Sequence, residues 1–339
     1  MTTLCIETER WPLAIPLRDG GGVLSELEIA VVTLRDGAHV GRGEAAGVHY
    51  HGEDARSMVE QIELVRARIE RGLTRTELLE LLPPGGARNA VDCALWDMEA
   101  AREQRPAWQL ARLLPPRPLL TTYTIGADAP DLMAVQGRAF ATARALKLKL
   151  LGEALDIERV RAVRAARPDA WLCVDANQSF TPDFFTAILP VLLDARVELI
   201  EQPFPAGEDE LLDEVQCPIP IAADESVQDI RDLPRLRGRF ACVNIKLDKC
   251  GGLTAALAMA RQARAFDLEI MVGCMAGTTL AMSPAFLVGQ LASIVDLDGP
   301  VLLREDRSPA AVYEHGTVWC PESAWGGVPV GHGVTTDNE

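Results

Sequence analysis

From about residue 119 onward, short apolar runs alternate with longer amphipathic stretches. The runs fall at 120–125, 145–151, 171–174, 198–200, 219–223, 242–245, 269–272 and 294–295. Each is of strand length and bounded by turn-forming residues, whereas the stretches between them are long enough for a helix. Residues 252–266 are of the helical kind: Leu253, Leu257, Ala260 and Ala263 recur on one side, as the outer helix of a barrel requires. Eight strands joined this way predict a parallel barrel, in which every strand ends on one face and residues distant in sequence meet at one mouth.

The first 115 residues follow another pattern. Residues 27–34 are strand-like, Asp36-Gly37 is a turn, and 40–44 resumes as a returning strand, which predicts an antiparallel hairpin. Helices follow. Between residues 87 and 104, Val91, Ala94, Leu95, Met98 and Ala101 recur at three and four, Pro106 marks the end, and Pro115-Pro116-Arg117-Pro118 reads as a domain boundary. The expected organisation is a smaller α+β domain over 1–115, a barrel over 116–309, and a tail from 310 to 339 that returns to the first domain.

Composition narrows the function. A chain of 339 residues with 48% apolar content supports a large core, and a formal charge of −16 spread along the chain argues against nucleic acid or an anionic membrane as partner. The eight cysteines include no CxxC pair and several sit in apolar runs, as expected of reduced core residues in a cytoplasmic protein. The first ten residues lack the basic and apolar run of a signal peptide. Residues 270–295 carry no charge, but Gly273, Gly277, Ser283-Pro284 and Gly289-Gln290 break them into strand, turn and helix lengths rather than a membrane span.

The chemistry sits at the strand ends, at intervals of roughly 25 residues, about one βα unit. Asp175, Glu201 and Asp224 close three consecutive strands. Taken singly, such acids are helix caps or surface ion pairs; crowded at one mouth they repel unless a cation neutralises them, and three carboxylates with open positions suit Mg²⁺. Lys147 and Lys149 share a face because strand side chains alternate, and Lys246 comes from the opposite side of the barrel. A lysine beside a metal and other lysines is disfavoured as an ammonium, so its pKa is expected to fall. Two such bases can take a proton from one face of a carbon and return it on the other. The five histidines, at 39, 49, 51, 315 and 332, all lie outside the barrel strands, which makes a His-based zinc site or a Ser-His-Asp triad improbable. No GxGxxG or P-loop occurs, and Gly20-Gly21-Gly22 reads as a mobile loop rather than a phosphate cradle.

Lys147-x-Lys149, Asp175-x-Asn177, Glu201-Gln-Pro, Asp224-Glu225-Ser226 and Asn244-Ile245-Lys246 together resemble the enolase superfamily, muconate-lactonising-enzyme subgroup. The resemblance implies an α/β fold, a modified (β/α)7β TIM barrel with an α+β capping domain built from the N-terminal region and the C-terminal tail. It implies Mg²⁺ on Asp175, Glu201 and Asp224. Asp296-Leu297-Asp298 at the eighth strand is similar to the pair that binds the substrate's N-terminal ammonium in dipeptide epimerases; otherwise Asp298-Gly299-Pro300 is a turn. By the same resemblance Lys149 and Lys246 exchange the α-proton of the dipeptide's C-terminal residue. Lys147 assists in holding the enediolate, Thr124 contacts the substrate, and homo-oligomers are common among relatives. Cycloisomerases and o-succinylbenzoate-synthase-type lyases use the same metal and lysines and form the alternative.

One departure bears on the substrate. Epimerases of Ala-Glu that resemble this chain carry an arginine in the loop after the first strand, pairing with the side-chain carboxylate. Here the loop reads Arg18-Asp19-Gly20-Gly21-Gly22-Val23-Leu24, with glycine at the matching position, so strict use of Glu is not expected. Val23 and Leu24 favour an apolar side chain, and His49, His51 and Glu53 offer polar or cationic alternatives.

Overall fold

The computed structural model describes residues 2–328; the end of the tail, 329–339 with His332, lies outside them. Strands β1 (Thr3–Asp19), β2 (Gly22–Asp36) and β3 (His39–Ala45) form an antiparallel sheet in that order. The hairpin expected from residues 27–44 is the β2–β3 pair. β1, for which the hydrophobic pattern gives no range, is an edge strand that carries Pro12 and Pro16, and its register with β2 shifts between Pro12 and Leu17. Prolines remove ladder donors and the shift breaks the alternation, which is why an edge tolerates this segment and periodicity does not reveal it. The glycine run is not an irregular loop: Asp19 pairs with Gly22, leaving Gly20-Gly21 as the two-residue turn of a long ribbon.

Helices Ala55–Glu70 and Arg75–Leu81 begin with capping boxes, Asp54 with Ser57 and Thr74 with Glu77, which satisfy the first backbone donors. Helix Gly86–Glu103 is buried against β3, and Val32, Leu34, Met58, Ile62, Ala90 and Ala94 belong to the core between sheet and helices. The approach is close enough that a Cβ at Gly43 would lie 2.1 Å from the Ala90 carbonyl oxygen.

The barrel strands are β5 (Thr122–Ile125), β6 (Ala145–Lys149), β7 (Trp171–Asp175), β8 (Val197–Glu201), β9 (Ile221–Ala223), β10 (Cys242–Ile245), β11 (Glu269–Val272) and β12 (Ile294–Val295), all parallel and in sequence order. They follow β4 (Leu119–Leu120) and precede a hairpin of β13 (Val312–Glu314) and β14 (Thr317–Trp319). The single strand expected over 120–125 is therefore two: Leu119 and Leu120 pair with Val318 and Thr317 of the tail, and only residues from Thr122 enter the barrel. Beyond β14 the tail reaches the first sheet and its helix, where the Trp325 indole donates to the carbonyls of Arg42 (2.9 Å) and Cys93 (3.2 Å).

β12 and β5 share no ladder. Side chains close that seam: the Thr122 hydroxyl donates to Asp296, the Leu297 amide to Thr121 Oγ1 (2.9 Å), and the Thr124 amide to Asp298 Oδ2 (2.6 Å). Cys173, Leu199, Ala222, Cys242 and Met271 form a separate small core. Three of them lie two residues before Asp175, Glu201 and Asp224, so strand alternation stacks a dry layer beneath the acids. All eight cysteines are free; five are buried, but Cys5 is exposed and Cys217 and Cys274 are half-buried, so the reading of them as core residues holds only for the five. The charge-free residues 270–295 divide into β11, helix Thr279–Gly289 and β12, and no described helix is long and apolar enough to cross a membrane.

Candidate active site

Parallel register sets the mouth. Thr124 is level with Lys147, Lys149 with Asp175, and Asp175 with Glu201. Asp224 follows Ala222, which is level with Glu201, by two residues and so keeps its face. Carboxylate oxygens of Asp175, Glu201 and Asp224 lie within 4.8 Å of one another, all three buried.

The lysines interleave with these acids. Lys147 Nζ is 3.0 Å from Asp175, 2.8 Å from Glu201 and 2.9 Å from Asp296. Lys149 reaches Asp175 at 2.7 Å and Asn177 Oδ1 at 3.1 Å, and Lys246 reaches Asp224 at 2.6 Å. β6 and β10 are four strands apart in an eight-stranded barrel, so Lys149 and Lys246 stand on opposite flanks of the acidic trio.

The expected lowering of the lysine pKa values is not what these contacts produce. Burial pushes Lys147, Lys149 and Lys246 down, but the adjoining carboxylates outweigh it and hold all three above the ordinary range. Glu201 shows the converse: burial, then the charge of Asp175, push it up to about 8. Asp175 and Asp224 move the other way: burial pushes them up, but Lys147 and Lys149 beside the first and Lys246 and Lys249 beside the second outweigh it and hold both below the usual carboxylate range. The trio's hard oxygen donors, drawn within 4.8 Å of one another, with Glu201 Oε2 buried and met by the Lys147 ammonium without a well-aligned hydrogen bond, fit a divalent cation. By claiming the carboxylate charge, Mg²⁺ here would leave burial and neighbouring amines free to lower the lysines, and would polarise a bound carboxylate.

Asp296 and Asp298 both face the cavity, though not by strand alternation. β12 ends at Val295, and the two aspartates are aimed by the seam bonds to Thr122 and Thr124. Burial, then Asp296, push Asp298 up to about 6. The two carboxylates thus form a second acidic site, beside Thr124, with Lys147 between it and the trio.

Several groups had no assigned role in the motifs. Lys249 Nζ is 2.5 Å from both the carboxylate and the backbone oxygen of Asp224, and its only local sign is the spacing of three from Lys246 at the turn after a strand. Asn244 Nδ2 donates to Glu201 Oε1 at 2.8 Å. Asn177 Nδ2 donates to Glu225 Oε1 at 3.3 Å while its oxygen holds Lys149, and it adopts φ 42°, a left-handed conformation uncommon outside glycine.

The cavity of about 630 Å³ over these groups is roofed by the β1–β2 ribbon and by the loop bearing His49 and Tyr50; His51 does not line it. A Cβ at Gly20 would stand 3.2 Å from Asn177, so the turn rests on the barrel loop beside Lys149. The Ala127 amide donates to the Arg18 carbonyl at 2.8 Å. The Asp248 carboxylate also accepts from the Ala46 and Gly47 amides (3.0 and 3.1 Å), tying the first domain to the mouth.

Residues 1–111 match the model of the mandelate racemase / muconate lactonizing enzyme N-terminal domain, and residues 129–339 match the enolase C-terminal domain-like model. The L-Ala-D/L-Glu epimerase of Escherichia coli (strain K12) is 42% identical over 318 residues, covering 93% of this chain and 99% of that one. An enolase family member from Agrobacterium tumefaciens with homology to dipeptide epimerases, crystallised with bound sodium and L-Ala-L-Glu and an ordered loop, superposes with a TM-score of 0.93 at 43% identity. It covers 96% of this chain and 100% of its own. The dipeptide epimerase of Enterococcus faecalis V583, complexed with Mg and L-Leu-L-Tyr, superposes with a TM-score of 0.87 at 28% identity over 96% of this chain and 98% of its own.

Proposed function

The chain belongs to the mandelate racemase / muconate lactonizing enzyme group of the enolase superfamily, and from that premise we propose that it is a Mg²⁺-dependent dipeptide epimerase. It inverts the α-carbon of the C-terminal residue. The observation that carries this reading is the pairing of two separate acidic sites, the Asp175/Glu201/Asp224 trio and the Asp296/Asp298 pair, bridged by the Lys147 ammonium at the floor of one cavity.

The trio would hold the metal and, through it, the substrate carboxylate, whose α-proton is then acidic enough to remove. Lys147, touching both acidic sites, is placed to stabilise negative charge on the carboxylate oxygens as the proton leaves. Lys149 and Lys246 take and return the proton from opposite faces. Asp296, Asp298 and Thr124 receive the free ammonium end. Cycloisomerase and lyase substrates bring no ammonium to two buried aspartates, which places those activities second. Free cysteines throughout accord with work in the cytoplasm, and residues 1–115 with the tail would serve as the cap of a barrel over 116–309.

Incubating L,L-dipeptides with the Mg²⁺-loaded protein in D₂O tests the reading. Deuterium at the C-terminal α-carbon together with the L,D product is expected; metal-loaded protein that labels no dipeptide would falsify it.

A further inference from the structure

With the substrate carboxylate at the trio and its ammonium end toward Asp296 and Asp298, the side chain on the α-carbon would lie under the cavity roof, of which the β1–β2 ribbon forms a large part. The ribbon decides what that side chain meets. Leu17 pairs with Leu24, Arg18 with Val23 and Asp19 with Gly22; paired residues share a face, and successive pairs alternate. Leu17, Asp19, Leu24 and, at the rim, Val23 line the cavity, whereas Arg18 is exposed and does not. Its backbone is fixed by the bond from Ala127 and by contact at Gly126, where a Cβ would stand 3.0 Å from the Arg18 nitrogen.

No arginine lines the cavity among the described residues, and its only lysines, Lys147, Lys149 and Lys246, are already paired with the site's carboxylates. A side-chain carboxylate entering here would be desolvated without a counter-charge, near Asp19 and Glu225. The apolar surface, by contrast, awaits cover: Val23 at the rim is 58% exposed and Leu24 39%. Exposed large aliphatic groups at the mouth of a cavity gain when a ligand removes them from water.

We propose that the residue epimerised by this protein carries an apolar side chain, seated against the Leu17–Leu24 pair, and that side-chain carboxylates are disfavoured. The proposal rests on the dipeptide-epimerase reading and adds the substrate class to it. Asp19 and Glu225 leave a cationic side chain as the competing outcome.

The test is a panel of L-Ala-L-Xaa dipeptides in D₂O with the full-length Mg²⁺-loaded protein, scored by mass for α-deuterium. Leu, Met and Phe at Xaa are expected to give kcat/KM about tenfold or more above Glu and above Lys. Glu or Lys as the best substrate overturns the proposal while leaving epimerase activity intact; absence of exchange with every dipeptide strikes the activity itself. Leu24→Arg is expected to raise the Glu-to-Leu ratio about tenfold or more, and Arg18→Ala to leave all rates within about twofold. Selective loss of Glu turnover in Arg18→Ala would show that the arginine does enter, and so overturn the outward assignment.

Discussion

Asp298→Asn separates the cost of a buried charge from its use. Asp298 is 3% exposed, and burial with the neighbouring charge of Asp296 moves its carboxyl from 3.8 to about 6. A folded-state pKa raised by about two units means that the ionised carboxylate costs the folded protein about 3 kcal/mol. The sign follows from linkage. The cost is complete above pH 6, where the folded carboxyl is ionised, shrinks as pH falls, and vanishes below about 4, where both states are protonated. Asparagine keeps an oxygen for the Thr124 amide and removes the charge. The variant is therefore expected to be more stable than the parent at pH 8, with a Tm higher by about 3–6 °C, and equal to it near pH 4.

Activity should move the other way. An ammonium about 4 Å from a carboxylate at an effective dielectric of about 20 gains about 4 kcal/mol, and with Asp296 still present a loss of about 2–4 kcal/mol is expected. That corresponds to a fall of roughly 30- to 1,000-fold in kcat/KM for a dipeptide, read as α-proton exchange in D₂O. An N-acetyl amino acid, which has no ammonium, should exchange slowly and change by less than about threefold between parent and variant. Two results refute the reasoning: dipeptide kcat/KM within about threefold of the parent, or a stability difference that is absent at pH 8 or independent of pH.

Other perturbations address separate parts of the structure. Lys149→Ala and Lys246→Ala should each cut epimerisation by about 10³-fold or more, while each retains solvent exchange for a different C-terminal enantiomer, followed by proton NMR on the L,L and L,D substrates separately; identical behaviour of the two variants would count against opposed bases. Asn244→Ala takes the donor from Glu201 Oε1 and should weaken Mg²⁺ binding about 10- to 100-fold by calorimetry, with little change in the Tm of the metal-free protein. Gly43→Ala forces a Cβ to 2.1 Å from the Ala90 carbonyl and should cost about 3 kcal/mol in urea unfolding, since backbone on both sides must shift; a loss under about 0.5 kcal/mol would mean that the sheet and helix are not in close contact.

What this chain states locally, it states well. Strand alternation and the βα interval are properties of neighbouring residues, so the eight barrel strands, the facing of Lys147 with Lys149 and the alignment of Asp175, Glu201 and Asp224 could all be read from the order of residues alone. The Asp296/Asp298 pair was legible as a motif but not as geometry, because its aim comes from Thr122 and Thr124, some 170 residues earlier, across a seam that no ladder closes. The same limit hid the split of the first barrel strand, whose leading residues Leu119 and Leu120 are claimed by the tail hairpin, and the role of Lys249, which depends on where Asp224 lies. It also hid the direction of Arg18, a matter of register in a ribbon whose prolines erase the periodic signal. Period and spacing are written in the chain because the backbone repeats; which side chain meets which across a closed barrel is decided only when long-range pairing selects one partner among many of equal local merit.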